Sequence, residues 1–283
     1  MPPPMTATRL DEDCTMPRFP VVPVAVRTAL ALVALGAAGL CHADCTATQD
    51  TAAQPQAVAL GAHTLYWQGE GAGSSPAVTS PIDTQATGSS LIVFNAGYAS
   101  NTLAPTDTYA NLWSPLGSAV VYDGYDGAFD VKAYVALGGR GGNGHTVSIV
   151  KNGQTAGEIT MPFIEVRNAG VLQAVAQNYP SANATITSGT VTTTGPATLI
   201  AVWWGDAFVL DMTAVPDQGF TRIDCLLHLP PNSAVQSAVA YRQVSAAGNY
   251  NVTWSQSPAQ GAPLWLFAFQ SGDSDVIFGN GFD

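Results

Sequence analysis

Several short runs of this chain are apolar on both faces, and a run of that kind has no place on a protein surface. Pro263–Gln270 (PLWLFAFQ), Ala197–Trp204 (ATLIAVWW) and Ser90–Ala99 (SLIVFNAGYA) are the clearest. Bounded by stretches rich in Gly, Ser and Pro, they are expected as central strands of a sandwich. Other runs alternate. Tyr250, Val252 and Trp254 interleave with Asn251, Thr253 and Ser255, and Val131, Ala133 and Val135 with Lys132 and Tyr134. That is the period of a strand with one buried face. Ser257-Pro258-Ala259-Gln260-Gly261 supplies turn chemistry between the last two runs, which predicts a closing hairpin. Only 10% of the residues are charged, too few for the exposed faces of a helical bundle, and the aromatic and aliphatic content argues against disorder. The expectation is all-β: a single double-sheet antiparallel sandwich of about a dozen strands.

The first residues form an address. Arg18 and Arg27 precede the apolar run Ala29–Leu40 (ALALVALGAAGL), and Cys41-His42-Ala43 follows with a small residue at its end. Basic, apolar, then small is the order of a secretory signal peptide, cleaved after Ala43. The apolar run falls short of the ~20 residues that span a bilayer, so no membrane span is expected after cleavage. Asp11, Glu12 and Asp13 do not suit a basic leader, which points to a translation start at Met16. The resulting map is an upstream extension plus signal at 1–43, a polar lead at 44–62, the sandwich at 63–272 and a tail at 273–283. The expected location is secreted, periplasmic or at the cell surface.

Cleavage leaves Cys45 and Cys225, which in an oxidising compartment favour one disulfide, with two free thiols as the alternative. Net charge is −11; residues 1–43 hold three acids and three arginines, so their loss leaves it unchanged. The remaining cations are scattered singly, and such a surface repels a phosphate backbone: nucleic acid is an unsuitable partner.

The last residues, Ile277-Phe278-Gly279-Asn280-Gly281-Phe282-Asp283, resemble the terminal Ile-Phe-x-x-Gly-Phe-Glu/Asp tail of many otherwise unrelated exported proteins of Gram-negative bacteria. The resemblance implies export or surface sorting and nothing about chemistry. The body, Leu91–Gln270, resembles lectin-like jelly rolls in strand pattern, with Tyr109-Ala110-Asn111-Leu112-Trp113 between strands. This implies architecture only, because fold does not fix function.

Candidate chemistry is sparse. Gly139-Arg140-Gly141-Gly142-Asn143-Gly144 matches the spacing of a dinucleotide-binding loop, but a strand follows it where that loop needs a helix, so a Gly-rich hairpin loop is expected. Glu158 and Glu165 are the carboxylates to weigh for glycoside hydrolysis. Seven residues apart, they point to opposite faces of an unbroken strand, and Thr160 stands where a jelly-roll glucanase carries its middle Asp. Asp123, Asp126 and Asp130 gather hard oxygen ligands with two glycines, which suits either Ca²⁺ or a plain turn. His63, His145 and His228 are separated in sequence, and no nucleophile-elbow or zinc-protease motif is present. Val171–Gln177 carries the one helical-turn pattern. For recognition, aromatic rings and amides on loops are the candidates: Tyr109, Asn111, Trp113, Tyr122 and Tyr125. Stacking of such rings on sugar would make the ligand a polysaccharide or cell-surface component. A glycan-active hydrolase or lyase and a structural surface protein without a ligand are the alternatives.

Overall fold

A computed structural model of the chain describes residues 56–98, 103–122, 128–207, 209–229 and 233–272. Every regular element among them is a β-strand, and none is a helix long and apolar enough to cross a membrane. Two antiparallel sheets lie at the centre. One has the order β1 (Ala59–Gln68), β9 (Ile159–Arg167), β3 (Ser89–Tyr98), β7 (Phe129–Gly139), β5 (Ser114–Pro115), with β6 (Val120–Val121) also on β7. The other runs β10 (Val171–Asn178), β19 (Leu264–Gln270), β13 (Ala197–Trp204), β16 (Ser237–Val244), β15 (Thr221–Leu226). Between them Phe94 packs on Trp204 at 4.8 Å between ring centroids and meets Trp265 edge-on at 5.8 Å. Truncating such a ring to Ala costs about 3–5 kcal/mol in a close-packed core.

The two-faced runs have a second cause. Each central sheet is also covered on its outer face, so the described residues form four layers of β-structure. Leu91, Val93, Met161 and Phe163 face a small sheet of β2 (Ala77–Val78), β8 (Val147–Ile149) and β4 (Thr106–Asp107). On the other side Leu199, Ala201, Trp203 and Leu266 pack under Trp254, Ile186 and Ala214. These come from β11 (Asn183–Thr187), β18 (Thr253–Gln260) and β14 (Thr213–Pro216), while β12 (Val191–Thr193) and β17 (Gly248–Tyr250) pair alongside. Adjacent in β13, Trp203 and Trp204 face opposite ways, and both are fully buried, one in each layer.

Four local expectations change. The last two runs do not form a hairpin: β18 pairs with β11 and β14, and β19 with β10 and β13. Ser257–Gln260, expected as a turn, belong to β18 itself, and only Gly261, Ala262 and Pro263 carry the chain from an outer layer into a central sheet. Val171–Gln177 belongs to strand β10, not a helical turn; its residues alternate between exposed and half-buried as an edge strand should. The Gly-rich loop joins β7 to β8, which lie in different sheets, so it is a crossover and no hairpin. Strand β1 begins at Ala59, so the end of the polar lead already belongs to a sheet.

The sheet edges are tied across both sides. His63 on β1 meets Asp224 on β15 at 2.8 Å. Opposite, the Gln177 side chain accepts from the Ser118 amide (2.9 Å) and donates to its carbonyl (2.7 Å), as a strand neighbour would.

Candidate functional site

The loop that follows β4 is built on one carboxylate. Asp107 Oδ1 accepts from the Tyr109 amide (2.7 Å) and from Asn111 Nδ2 (3.2 Å), and Oδ2 accepts from the Asn111 amide (3.2 Å) and Trp113 Nε1 (2.7 Å). An Asp that caps the amides just after it is the usual seed of a tight turn, and here Ala110 takes a left-handed φ of 53° at its tip. Behind the carboxylate, 3.5 Å from Oδ1, stands Nε2 of the fully buried His145, whose Nδ1 lies 2.9 Å from Thr84 Oγ1. Burial pushes the Asp107 carboxyl up, but hydrogen bonds from His145, the Tyr109 amide and Trp113 outweigh it and hold the group below its ordinary value.

The three sequence-predicted residues Tyr109, Asn111 and Trp113 are thus brought together, half-buried, on a rigid frame. Asn111 also donates to the Arg140 carbonyl (2.9 Å) and accepts from the Arg140 amide (2.7 Å), while the Tyr109 hydroxyl donates to the Asn143 carbonyl (2.8 Å). A side chain at Gly142 would collide with that hydroxyl, so this glycine is needed for close approach. Leu112, at the crest, is 91% exposed. The order Asp107–His145–Thr84 mimics a proton relay, but Thr84 is buried and its Oγ1 already accepts from the Gly142 amide (3.1 Å). The three residues clamp two loops together.

Tyr122 lies elsewhere. It is fully buried in the central core, its ring stacked 6.1 Å from Phe129, and presents no face to a ligand. Tyr125, Asp123 and Asp126 lie outside the described residues. Asp130 is buried beside Lys132, whose ammonium donates to it; burial raises the Asp130 carboxyl and Lys132 opposes that rise. An ammonium in this position competes with a bound cation. Among the described residues no cluster of three or more His, Cys, Asp or Glu is placed to hold a metal. Cys225 is half-buried on β15, and Cys45 lies outside the described residues.

Glu158 immediately precedes β9 and Glu165 lies within it, and they are not brought together; at ~3.3 Å per residue they are roughly 23 Å apart along the strand. Glu165 is fully buried and accepts from the Gln85 amide (2.6 Å), Ser89 Oγ (2.6 Å), the Ala62 amide (3.0 Å) and Arg167 Nε (3.2 Å). It fills the irregularity in the β1–β9 ladder between Leu60 and His63, where only a glycine, Gly61, leaves room for it.

Glu158 is as deeply buried and less well served. Its Oε2 accepts from the Ala234 amide at 2.8 Å, and Ser233 adds a side-chain hydrogen bond. The Glu158 amide itself donates to Glu70 Oε2 at 3.3 Å. Burial, with the Glu70 charge alongside, pushes the Glu158 carboxyl up to about 7 against those two hydrogen bonds. Tyr98 is pushed up to about 12 by its own burial, a hydrogen bond to Glu70 and the charges of Glu70 and Glu158. Lys151 is buried nearby and donates to Gln68 Oε1 and the Gly157 carbonyl, each at 2.6 Å; burial lowers it, against the pull of Glu70.

Sequence reasoning missed Asp107, Thr84, Glu70, Ser233 and Lys151 as members of these clusters. The one available signal was Asp107 at the head of a run of loop aromatics. A groove of about 710 Å³ at another place, flanked by Val58, Gln173, Thr194, Gln243 and Gln270, has no ionisable side chain in its lining. No family model matches the chain, and neither curated proteins nor solved structures yield a match.

Proposed function

We propose that this is an exported β-sandwich for recognition, binding a polysaccharide or cell-surface component through the loop built on Asp107. What supports the reading is the pinning of Tyr109, Asn111 and Trp113 to one buried carboxylate. A loop held in this way loses little conformational freedom on binding, so its rings and amides contribute affinity that a floppy loop would forfeit. The exposed Leu112 adds an apolar contact at the crest. Removal of the leader near Ala43, a Cys45–Cys225 disulfide anchoring the new N-terminus to β15, and sorting through the C-terminal tail belong to the same proposal. Calcium at Asp123, Asp126 and Asp130 is an accessory proposal that the same assay addresses. The test is a glycan-array screen of the chain from Asp44 onward, with and without Ca²⁺. A bound glycan is expected, with affinity falling about tenfold, ~1.4 kcal/mol, in Trp113→Ala. Failure to bind any glycan overturns the reading.

One observation favours a second reading, a glycan-active hydrolase or lyase: the raised carboxyl of Glu158 beside Glu70, a pair of acids whose environments differ. Against it stands the burial of Glu158, which is 1% exposed. Release of reducing ends from a polysaccharide panel, lost in Glu158→Gln, would establish it; no turnover on any substrate removes it.

A further inference from the structure

The Glu158 carboxyl sits where the two central sheets are joined. It precedes β9 of one sheet, and the segment it holds, Ser233–Gln236, leads directly into β16 of the other. The junction has three further bonds. Thr160 Oγ1 donates to the Val235 carbonyl (2.8 Å), the Glu70 amide donates to Ser233 Oγ (3.3 Å), and the Glu158 amide donates to Glu70 Oε2 (3.3 Å). The ionisable groups around it come from every neighbouring segment: Glu70 after β1, Tyr98 at the end of β3, and Lys151 after β8, which acts on Glu70. No cation among the described residues donates a hydrogen bond to Glu158; the Lys151 ammonium is spent on Gln68 and two backbone carbonyls.

We propose that Glu158 is a proton-operated latch between the central sheets, closed when its carboxyl is protonated and loosened when it ionises beside Glu70. In the closed state the carbonyl oxygen accepts from the Ala234 amide and the O–H is free to donate to Ser233 Oγ, so both partners are kept without a buried charge. Ionisation places a negative charge in the buried Glu158 site, beside the exposed Glu70, and the cheapest relief is for the Ser233–Val235 segment to open and admit water. The raised proton affinity of Glu158 sets the opening near neutral pH.

Amide hydrogen exchange reads the latch directly, because local opening appears as lost protection once the intrinsic pH dependence is divided out. The amides to follow are Ala234 and Glu158, with Gln85, bonded to Glu165, as the internal reference. Between about pH 5 and about pH 9, protection of Ala234 and Glu158 is expected to fall roughly tenfold or more while Gln85 holds. In Glu158→Gln, which preserves shape and carries no charge, the fall disappears. In Glu70→Gln the charge account lowers the proton affinity of Glu158, so the fall is expected to level off at lower pH and to be smaller at about pH 9; a fall unchanged in both size and position overturns the role given to the Glu70 charge and with it the proposal. Equal protection of Ala234 at both pH values in the native chain, or an unchanged fall in Glu158→Gln, also overturns the proposal.

Discussion

Glu158 stands just before β9 and Glu165 within it; both are buried, and they do opposite things to the fold. Glu165 is met by two amides, a hydroxyl and a guanidinium, so all of its lone pairs are used and its burial is compensated. Glu158 is met by one amide and one hydroxyl and looks onto another carboxylate, so its charge is resisted. Depth does not decide what a buried acid contributes. The donors arranged around it do.

The comparison is broken most severely at Glu165. Glu165→Ala strands the Gln85 and Ala62 amides and the Ser89 hydroxyl, and a loss of roughly 3–5 kcal/mol is expected in urea unfolding at neutral pH. An effect below ~1 kcal/mol would mean that water replaces the carboxylate without penalty.

Glu158→Gln should move the other way. The folded carboxyl keeps its proton up to about 7, whereas the unfolded chain releases it near the ordinary glutamate value. Between those two values the folded state holds the extra proton, so stability falls as pH rises, at up to about 1.4 kcal/mol per pH unit, and levels off above the folded value. The Gln variant removes this slope and is therefore more stable than the native chain at mildly alkaline pH, by up to about 3 kcal/mol. Denaturant midpoints collected across pH read both the sign and the plateau.

Asp107 sharpens the comparison, because it lies on the Glu165 side of the divide. Its hydrogen bonds outweigh burial and hold the carboxyl below its ordinary value, so its contribution is present above the unfolded value and is lost as pH falls through the folded one. Asp107→Asn turns an N–H toward one of its donors, and a cost of about 2 kcal/mol is expected, with altered Trp113 fluorescence. The smallest effect belongs to the His63–Asp224 pair, whose histidine side chain keeps 26% of its surface in solvent and its aspartate 8%. His63→Ala should change stability by less than about 1 kcal/mol, measured by the same unfolding curves.

How much of this was legible follows from how local each signal is. The central strands β3, β13 and β19 announce themselves because their covered faces are almost wholly apolar, with buried exceptions such as Asn95 and Thr198. Of the outer layers that cover them, β8 and β18 lie in runs legible as strands, but β2 and β4 stay hidden: each is two residues long, too short to carry a period. Val171–Gln177 misled because its small residues fit helical spacing as well as an exposed edge strand. Tyr109, Asn111 and Trp113 were legible as loop residues, but their anchor pairs with His145, 38 positions away, and nothing local marks that contact. Tyr122 looked like its neighbours in the loop and yet fills the core. Glu70, Glu158 and Ser233 meet only because three separate strands end at one place, so the sequence carries no pattern for their meeting.

The most direct test is carbon-13 NMR of the side-chain carboxyls in chain labelled at glutamate. From Asp44 onward there are only three, Glu70, Glu158 and Glu165, and the resonance missing from Glu158→Gln identifies its owner. That resonance should titrate with a midpoint at about 7. A midpoint at the ordinary glutamate value would show that the Ala234 amide and Ser233 suffice to hold the charge, and the distinction between the two glutamates would fall.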